Sequence, residues 1–163
     1  MPEDMLRRHA MSLLVVILTT LALAVGLSAP AEAASRRVHR IHQAVDVARH
    51  QKGDPYRYGA DGPRRFDCSG LVQFSYGRAG LQLPRTSGEQ ARYARRIKRR
   101  QMRPGDLIFF HTRRGRVYHV AIFTGWTRHH RHRRMVHAPS PGTRVRTNVP
   151  WTQRWYPGTL RHR

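Results

Sequence analysis

The hydrophobic period of this chain changes at Pro104-Gly105, and that change constrains the fold more than any other feature. Before it, apolar residues return at helical spacing. Val38, Ile41, Ala44, Val45 and Ala48 mark one face of a helix over 37–52, with Gly53 as its stop. Residues 53–66 are rich in turn formers and read as a loop. Asp67 stands as the N-cap of a helix over 68–79 that ends at Gly80. Ser87-Gly88-Glu89-Gln90 has capping-box spacing and predicts a third helix running to about Ile97. After Pro104-Gly105 the period moves toward two. Leu107–His111, Val117–Thr124, Arg133–His137 and Val145–Val149 read as short strands. Helices followed by strands imply an α+β domain with an antiparallel sheet. A length of 163 residues holds one such domain, with no internal repeat and no second domain in view.

The first 33 residues have a different composition. Arg7, Arg8 and His9 precede an apolar run from Met11 to Leu27, and Ala31-Glu32-Ala33 has the small-x-small form of a cleavage site. This is the pattern of a secretory signal peptide, too short in its apolar run to read as a membrane span. Residues 34–163 would then be the mature domain, working outside the cytoplasm. Cleavage removes two arginines and three acids from the formal +22, leaving +23.

That charge is almost all arginine, since Lys52 and Lys98 are the only lysines among 31 basic residues. It calls for an anionic partner, and a secreted protein meets anionic wall polymers before it meets nucleic acid. Codon bias toward arginine produces the same count. Aromatic interleaving in the basic connector Arg92–Arg103 is sparse, with Tyr93 alone, so base stacking is not indicated and no nucleic-acid partner is expected. The run Arg128–Arg134 holds three histidines, but its arginines repel cations and no carboxylate or cysteine is near. It reads as a solvated hairpin loop, and no metal site or other cofactor is expected. Trp126, Trp151 and Trp155 are open to either a core or a rim position.

One cysteine excludes any intramolecular disulfide. Cys68 falls in the first turn of the second helix, where unpaired N–H groups and the helix dipole favour a thiolate. His119 lies within the apolar strand VYHVAIF, and His137 within MVHA on the next strand. A helix-starting cysteine and two histidines on neighbouring strands form a Cys–His–polar triad pattern. In it His119 takes the Cys68 proton and returns it to the leaving amine, while His137 fixes the His119 tautomer.

The stretch GDPYRYGADGPRRFDCSGLVQFSYGRAGLQLPRTSGEQ, followed by RPGDLIFF, YHVAIFTG and MVHAPSPG, resembles the NlpC/P60 family of cell-wall cysteine peptidases over about residues 38–158. The resemblance implies a compact papain-like fold, with the nucleophile helix packed on an antiparallel sheet. It also implies hydrolysis of peptidoglycan stem peptides, commonly at the D-γ-glutamyl–diamino acid bond. Carried over by position, Cys68 matches the nucleophile, His119 the general base and His137 the third polar member. Tyr56 matches the tyrosine that assists the oxyanion, with Tyr58 as the fallback, beside the backbone N–H of Cys68. Asp67, Ser69 and Ser87, with Thr86, are expected to line the stem-peptide site, Asp67 receiving a substrate amine. Ala60, Ala121 and Phe123 depart from common family residues without removing a chemical group.

No SH3-like, LysM or coiled-coil targeting segment is recognisable, so the arginine-rich surface is the expected contact with wall polymers. A monomer is expected. Two other readings stay open: an amidase or acyltransferase on the same fold, and a non-catalytic wall- or membrane-binding module.

Overall fold

The computed structural model describes residues 30–127 and 132–162. Residues 1–29, most of the segment read as a signal peptide, and residues 128–131 of the Arg/His run lie outside the described residues. Arg37–Arg163 form one compact unit and Met1–Arg36 another. Among the described residues no helix is long and apolar enough to cross a membrane.

Helix α1 covers residues 30–50, starting earlier and stopping slightly sooner than its apolar spacing indicates. Its exposed first turns, which include Ala31-Glu32-Ala33, belong to the first unit. From Ile41 onward Ala44, Val45 and Ala48 are fully or nearly fully buried, as the spacing requires, while Val38 is only half-buried. Helix α2, Cys68–Arg78, is capped by Asp67, whose side chain accepts from the Gly70 N–H. Its buried face holds Leu71, Val72, Ser75 and Tyr76, and the Tyr76 hydroxyl donates to the Gly105 carbonyl at the head of the sheet.

Helix α3 corrects the sequence expectation. It runs only over Ser87–Tyr93, and its cap is Thr86, not Ser87. The Thr86 hydroxyl accepts from Glu89 N–H, and the Glu89 carboxylate reaches back to the Thr86 N–H, so the box sits one residue earlier. The chain then straightens into strand β1, Arg95–Arg96, where a continued helix to Ile97 was expected.

Five strands follow: β2 Leu107–His111, β3 Val117–Trp126, β4 Arg133–His137, β5 Arg146–Asn148 and β6 Trp155–Thr159. All pairings are antiparallel, in the order β1-β6-β2-β3-β4-β5. Strand β3 is longer than expected and β5 shorter, and β6, absent from the sequence reading, inserts between β1 and β2. Both faces of the sheet are covered. Leu107, Phe109, Val120, Ile122 and Val136 pack with the helices. Ile108, Phe110, Ala121, Phe123, Met135 and Trp155 form a second cluster on the other face. This explains why LIFF and VAIF are unbroken apolar runs, as in strands buried on both sides.

The turn into β2 is fixed by charge. Asp106 is fully buried, accepts from the Arg103 N–H and pairs with Arg161, which also donates to the Pro104 carbonyl. Replacing Arg161 with Ala leaves a buried carboxylate without its counter-ion. Urea denaturation is expected to show a loss of about 3–5 kcal/mol, and a loss under 1 kcal/mol would show the pair to be dispensable.

Candidate active site

Asp67 organises the start of α2. One carboxylate oxygen accepts from Gly70 N–H at 2.7 Å, Ser69 Oγ–H at 3.2 Å and Arg85 Nη1–H at 3.0 Å. The other accepts from Gly59 N–H at 3.0 Å and from Arg85 Nη2–H at 2.5 Å. Burial pushes this carboxyl up, but the Arg85 guanidinium and the Gly70 N–H outweigh it and hold Asp67 below the usual carboxylate range. A substrate amine would have to compete with five donors already in place. Ser69 is buried in the same network, accepting from Arg85 at 3.1 Å. Gly70 is glycine because a Cβ there would stand 2.1 Å from the Ala60 carbonyl oxygen, so the helix start and the 57–62 loop touch backbone to backbone.

Cys68 follows directly, half-buried against the core. It lines a cleft of about 700 Å³ together with Tyr56, Tyr58, Asp67, Ser69, Thr86 and Ser87. The sequence-selected residues of the loop and helix starts therefore meet in one depression. Tyr56 is half-buried, and burial followed by the nearby Cys68 pushes its hydroxyl up, whereas Tyr58 is 87% exposed. Thr86 uses its hydroxyl in the α3 cap, so Ser87 is the member of that pair free of the capping duty. Across the cleft lie Arg116, Val117 and Tyr118, the residues leading to His119.

The thiol differs from the sequence expectation. Backbone N–H groups of Val120, Ser69 and Cys68 itself do act to lower it, but burial is larger and pushes the Cys68 thiol up. Helix-start electrostatics favour the thiolate; loss of water around sulfur disfavours it more.

The two histidines do not line the cleft. They are buried at 5% and 2% exposure, on β3 and β4, and Nε2 of His119 lies 2.9 Å from Nδ1 of His137. Nε2 of His137 in turn lies 3.4 Å from Asn148 Oδ1 on β5. With the amide oxygen accepting, the protons order themselves: His137 donates through Nε2, His119 donates through Nε2, and Nδ1 of His119 is left bare. Burial, reinforced by the neighbouring imidazole, pushes His119 down to about 3. Burial also brings His137 down to about 4, aided by Arg146 and opposed by Asn148. Both rings are therefore neutral at pH 7. No hydrogen bond joins the thiol to His119 among the described residues, and no cluster of His, Cys, Asp and Glu there has the makings of a metal site.

Sequence reasoning missed several residues of this region. Arg85 was passed over inside Leu83-Pro84-Arg85, although it is the Asp67 counter-ion. Gln90 is fully buried and ties the Ser69 and Pro84 carbonyls together through Nε2. Asn148 carried no local signal, because its role depends on strand register: Met135 pairs with Asn148 and His137 with Arg146.

A family model described as the NlpC/P60 family matches residues 53–163. Murein DD-endopeptidase MepH of Escherichia coli is 34% identical over 134 residues, which is 75% of this chain and 47% of that protein. The NlpC/p60 domain of the peptidoglycan hydrolase SagA has a TM-score of 0.64 at 29% identity, covering 74% of this chain and 98% of that domain. RipD of Mycobacterium tuberculosis, a non-catalytic NlpC/p60 domain protein adapted to peptidoglycan binding, has a TM-score of 0.61 at 27% identity over 74% of this chain and 97% of its own. The chain spans about half the length of MepH and 16% of a Listeria monocytogenes probable endopeptidase p60.

The buried imidazoles make stability depend on pH. Their folded values lie below the ordinary 6.5, so the unfolded chain takes up protons first as pH falls. Stability from the neutral pair is complete above about 6.5 and is lost progressively toward pH 4 and then 3. Thermal melts from pH 7.5 to 4 should show a falling midpoint that flattens in His119→Gln/His137→Gln. An equal slope in that double variant would assign the effect to other groups.

Proposed function

Because the chain belongs to the NlpC/P60 family, we propose that it is a cysteine endopeptidase that hydrolyses peptidoglycan stem peptides at the D-γ-glutamyl–diamino acid bond. The observation that carries this reading is the His119–His137–Asn148 chain, which leaves Nδ1 of His119 as a bare base on the strand that borders the Cys68 cleft. His119 accepts the thiol proton as Sγ attacks the carbonyl carbon. The C–N bond then breaks, and the imidazolium returns that proton to the leaving amine. Water cleaves the thioester, giving one proton back to His119 and then to the thiol. Burial raises the Cys68 thiol and lowers both imidazoles, which favours proton transfer in step with attack. The Cys68 N–H and the Tyr56 hydroxyl are the donors for the oxyanion, each worth about 10²–10³ in rate. Asp67, Ser69 and Ser87 border the acyl side of the bond, with Asp67 acting through Arg85.

MepH carries a different bond in its name, and RipD is non-catalytic. Muropeptide digestion by wild type and Cys68→Ala, read by mass spectrometry, separates these cases. Products cut between D-γ-glutamate and the diamino acid are expected from wild type, with the rate at least about 10³-fold lower in the variant. Loss of D,D cross-links instead would move the bond. Tight binding without cleavage by either protein would make the chain a binding module.

Residues 1–33 are read as the signal for secretion, and the positive surface as a contact for anionic wall polymers. All nine acidic residues precede position 107, and residues 107–163 carry twelve arginines with no Asp or Glu. Retention on isolated walls should fall steeply as salt rises from about 50 to 500 mM. Retention that ignores salt would exclude this contact.

A further inference from the structure

Trp151 takes no part in the chemistry above, yet it sits over the two imidazoles. It lies between β5 and β6 and remains 53% exposed. Its indole stacks on Phe110 with centroids 4.2 Å apart and planes within 5°. The same ring is 5.3 Å from His119 and 5.5 Å from His137. Phe110 is fully buried, paired in register with His119 on one side and Trp155 on the other, and 5.5 Å from the His119 ring. The indole thus rests on a fixed partner. The histidines are almost inaccessible while the residue above them takes the solvent contact.

We infer that Trp151 is a positioning residue: its indole closes the solvent side of the His119–His137 pair and keeps the two rings in their hydrogen-bonded order. The physical basis is the contrast between a neutral imidazole, which tolerates an apolar cover, and an imidazolium, which needs water or a carboxylate. Among the described residues no carboxylate contacts either ring. The ionisable groups that act on the pair are the partner imidazole and Arg146 on β5, while the Cys68 thiol contacts the backbone N–H of Val120, next to His119 in sequence. A cation gives an imidazolium no help, so burial sets its cost, and Trp151 is the half-exposed ring that lies against both imidazoles. Only the kinetic part of the following test rests on the endopeptidase reading.

The experiment is an NMR titration of the imidazole carbons in wild type, Trp151→Ala and Trp151→Phe, with folding checked by circular dichroism. In Trp151→Ala the His119 and His137 titrations should rise toward the ordinary value by about one pH unit or more. Trp151→Phe, which keeps an aromatic cover on Phe110, should stay close to wild type. The acid limb of kcat/KM on muropeptides should move with the titrations, with kcat lower by about tenfold and KM nearly unchanged. Unmoved titrations in folded Trp151→Ala overturn the inference, and a rise in KM alone makes Trp151 a substrate contact instead. If Trp151→Ala does not fold, Trp151→Gln takes its place with the same expected rise. Should wild type cleave no muropeptide, the endopeptidase reading fails while the titration still decides the role of Trp151.

Discussion

The Asp67 carboxylate is the interaction on which the rest of the site depends. It caps α2, holds the Gly59 turn, orients Ser69 and neutralises Arg85, so four residues from three segments of chain converge on two oxygens. Cys68 owes its place to this convergence. The residue after an N-cap is the first with helical geometry, and a cap tied to a loop and to an arginine cannot fray as a free helix end does. Gly70 adds the steric half of the constraint, because the loop backbone occupies the space its side chain would fill. The arrangement also limits chemistry, since a carboxylate with five donors is an organiser before it is a ligand.

The sheet supplies the other half. Covering both of its faces removes water from β2, β3 and β4, and the histidines inherit that dryness because they alternate with core residues along their strands. The same dryness acts on the thiol and the imidazole alike, raising the first and lowering the second. A thiolate–imidazolium ion pair at rest would need water or opposite charge that the surroundings do not offer. The ordered Nε2–H donors on His119 and His137 leave Nδ1 of His119 as the unprotonated nitrogen.

Much of this was legible in the sequence for a definite reason: a helix N-cap, an apolar run and a change of period are local signals. α2, β2 and β4 were placed from such signals with the correct ends or within a residue of them. What failed was decided at a distance. Strand β6 contains Pro157 and Gly158, residue types that disfavour strands. Yet Gly158 is required because a Cβ would meet Ala94 and Phe109 at 2.9 Å, and Pro157 still accepts the Ile97 N–H through its carbonyl. Arg95–Arg96 looked like more helix because nothing in its composition announces its distant partners, Thr159 and Gly158. Thr86 and Ser87 are both good caps, and the reciprocal Thr86–Glu89 box is the one that forms. Asn148 and Trp151 join the histidines only through register and loop packing, which no short motif encodes.

The arginine excess has a structural logic beyond its charge. With few carboxylates at hand, the guanidiniums bind other acceptors. Arg99 donates to the Gln153 and Trp155 carbonyls and lies 3.8 Å over the Trp155 ring; Arg144 donates to Gly53, and Arg49 to Thr124. Arg96 covers Tyr156 and Arg133 covers Trp126. A lysine ammonium offers neither the planar fork nor the flat face that these contacts use. Carbonyls and aromatic rings hold a guanidinium without cancelling its charge, so these arginines tie loops to the sheet while their field still reaches solvent. The fold and the positive charge of the surface therefore draw on the same side chains. Replacing these arginines by neutral residues would lower the charge and release loops together, whereas salt screens the charge and leaves the carbonyl and ring contacts in place.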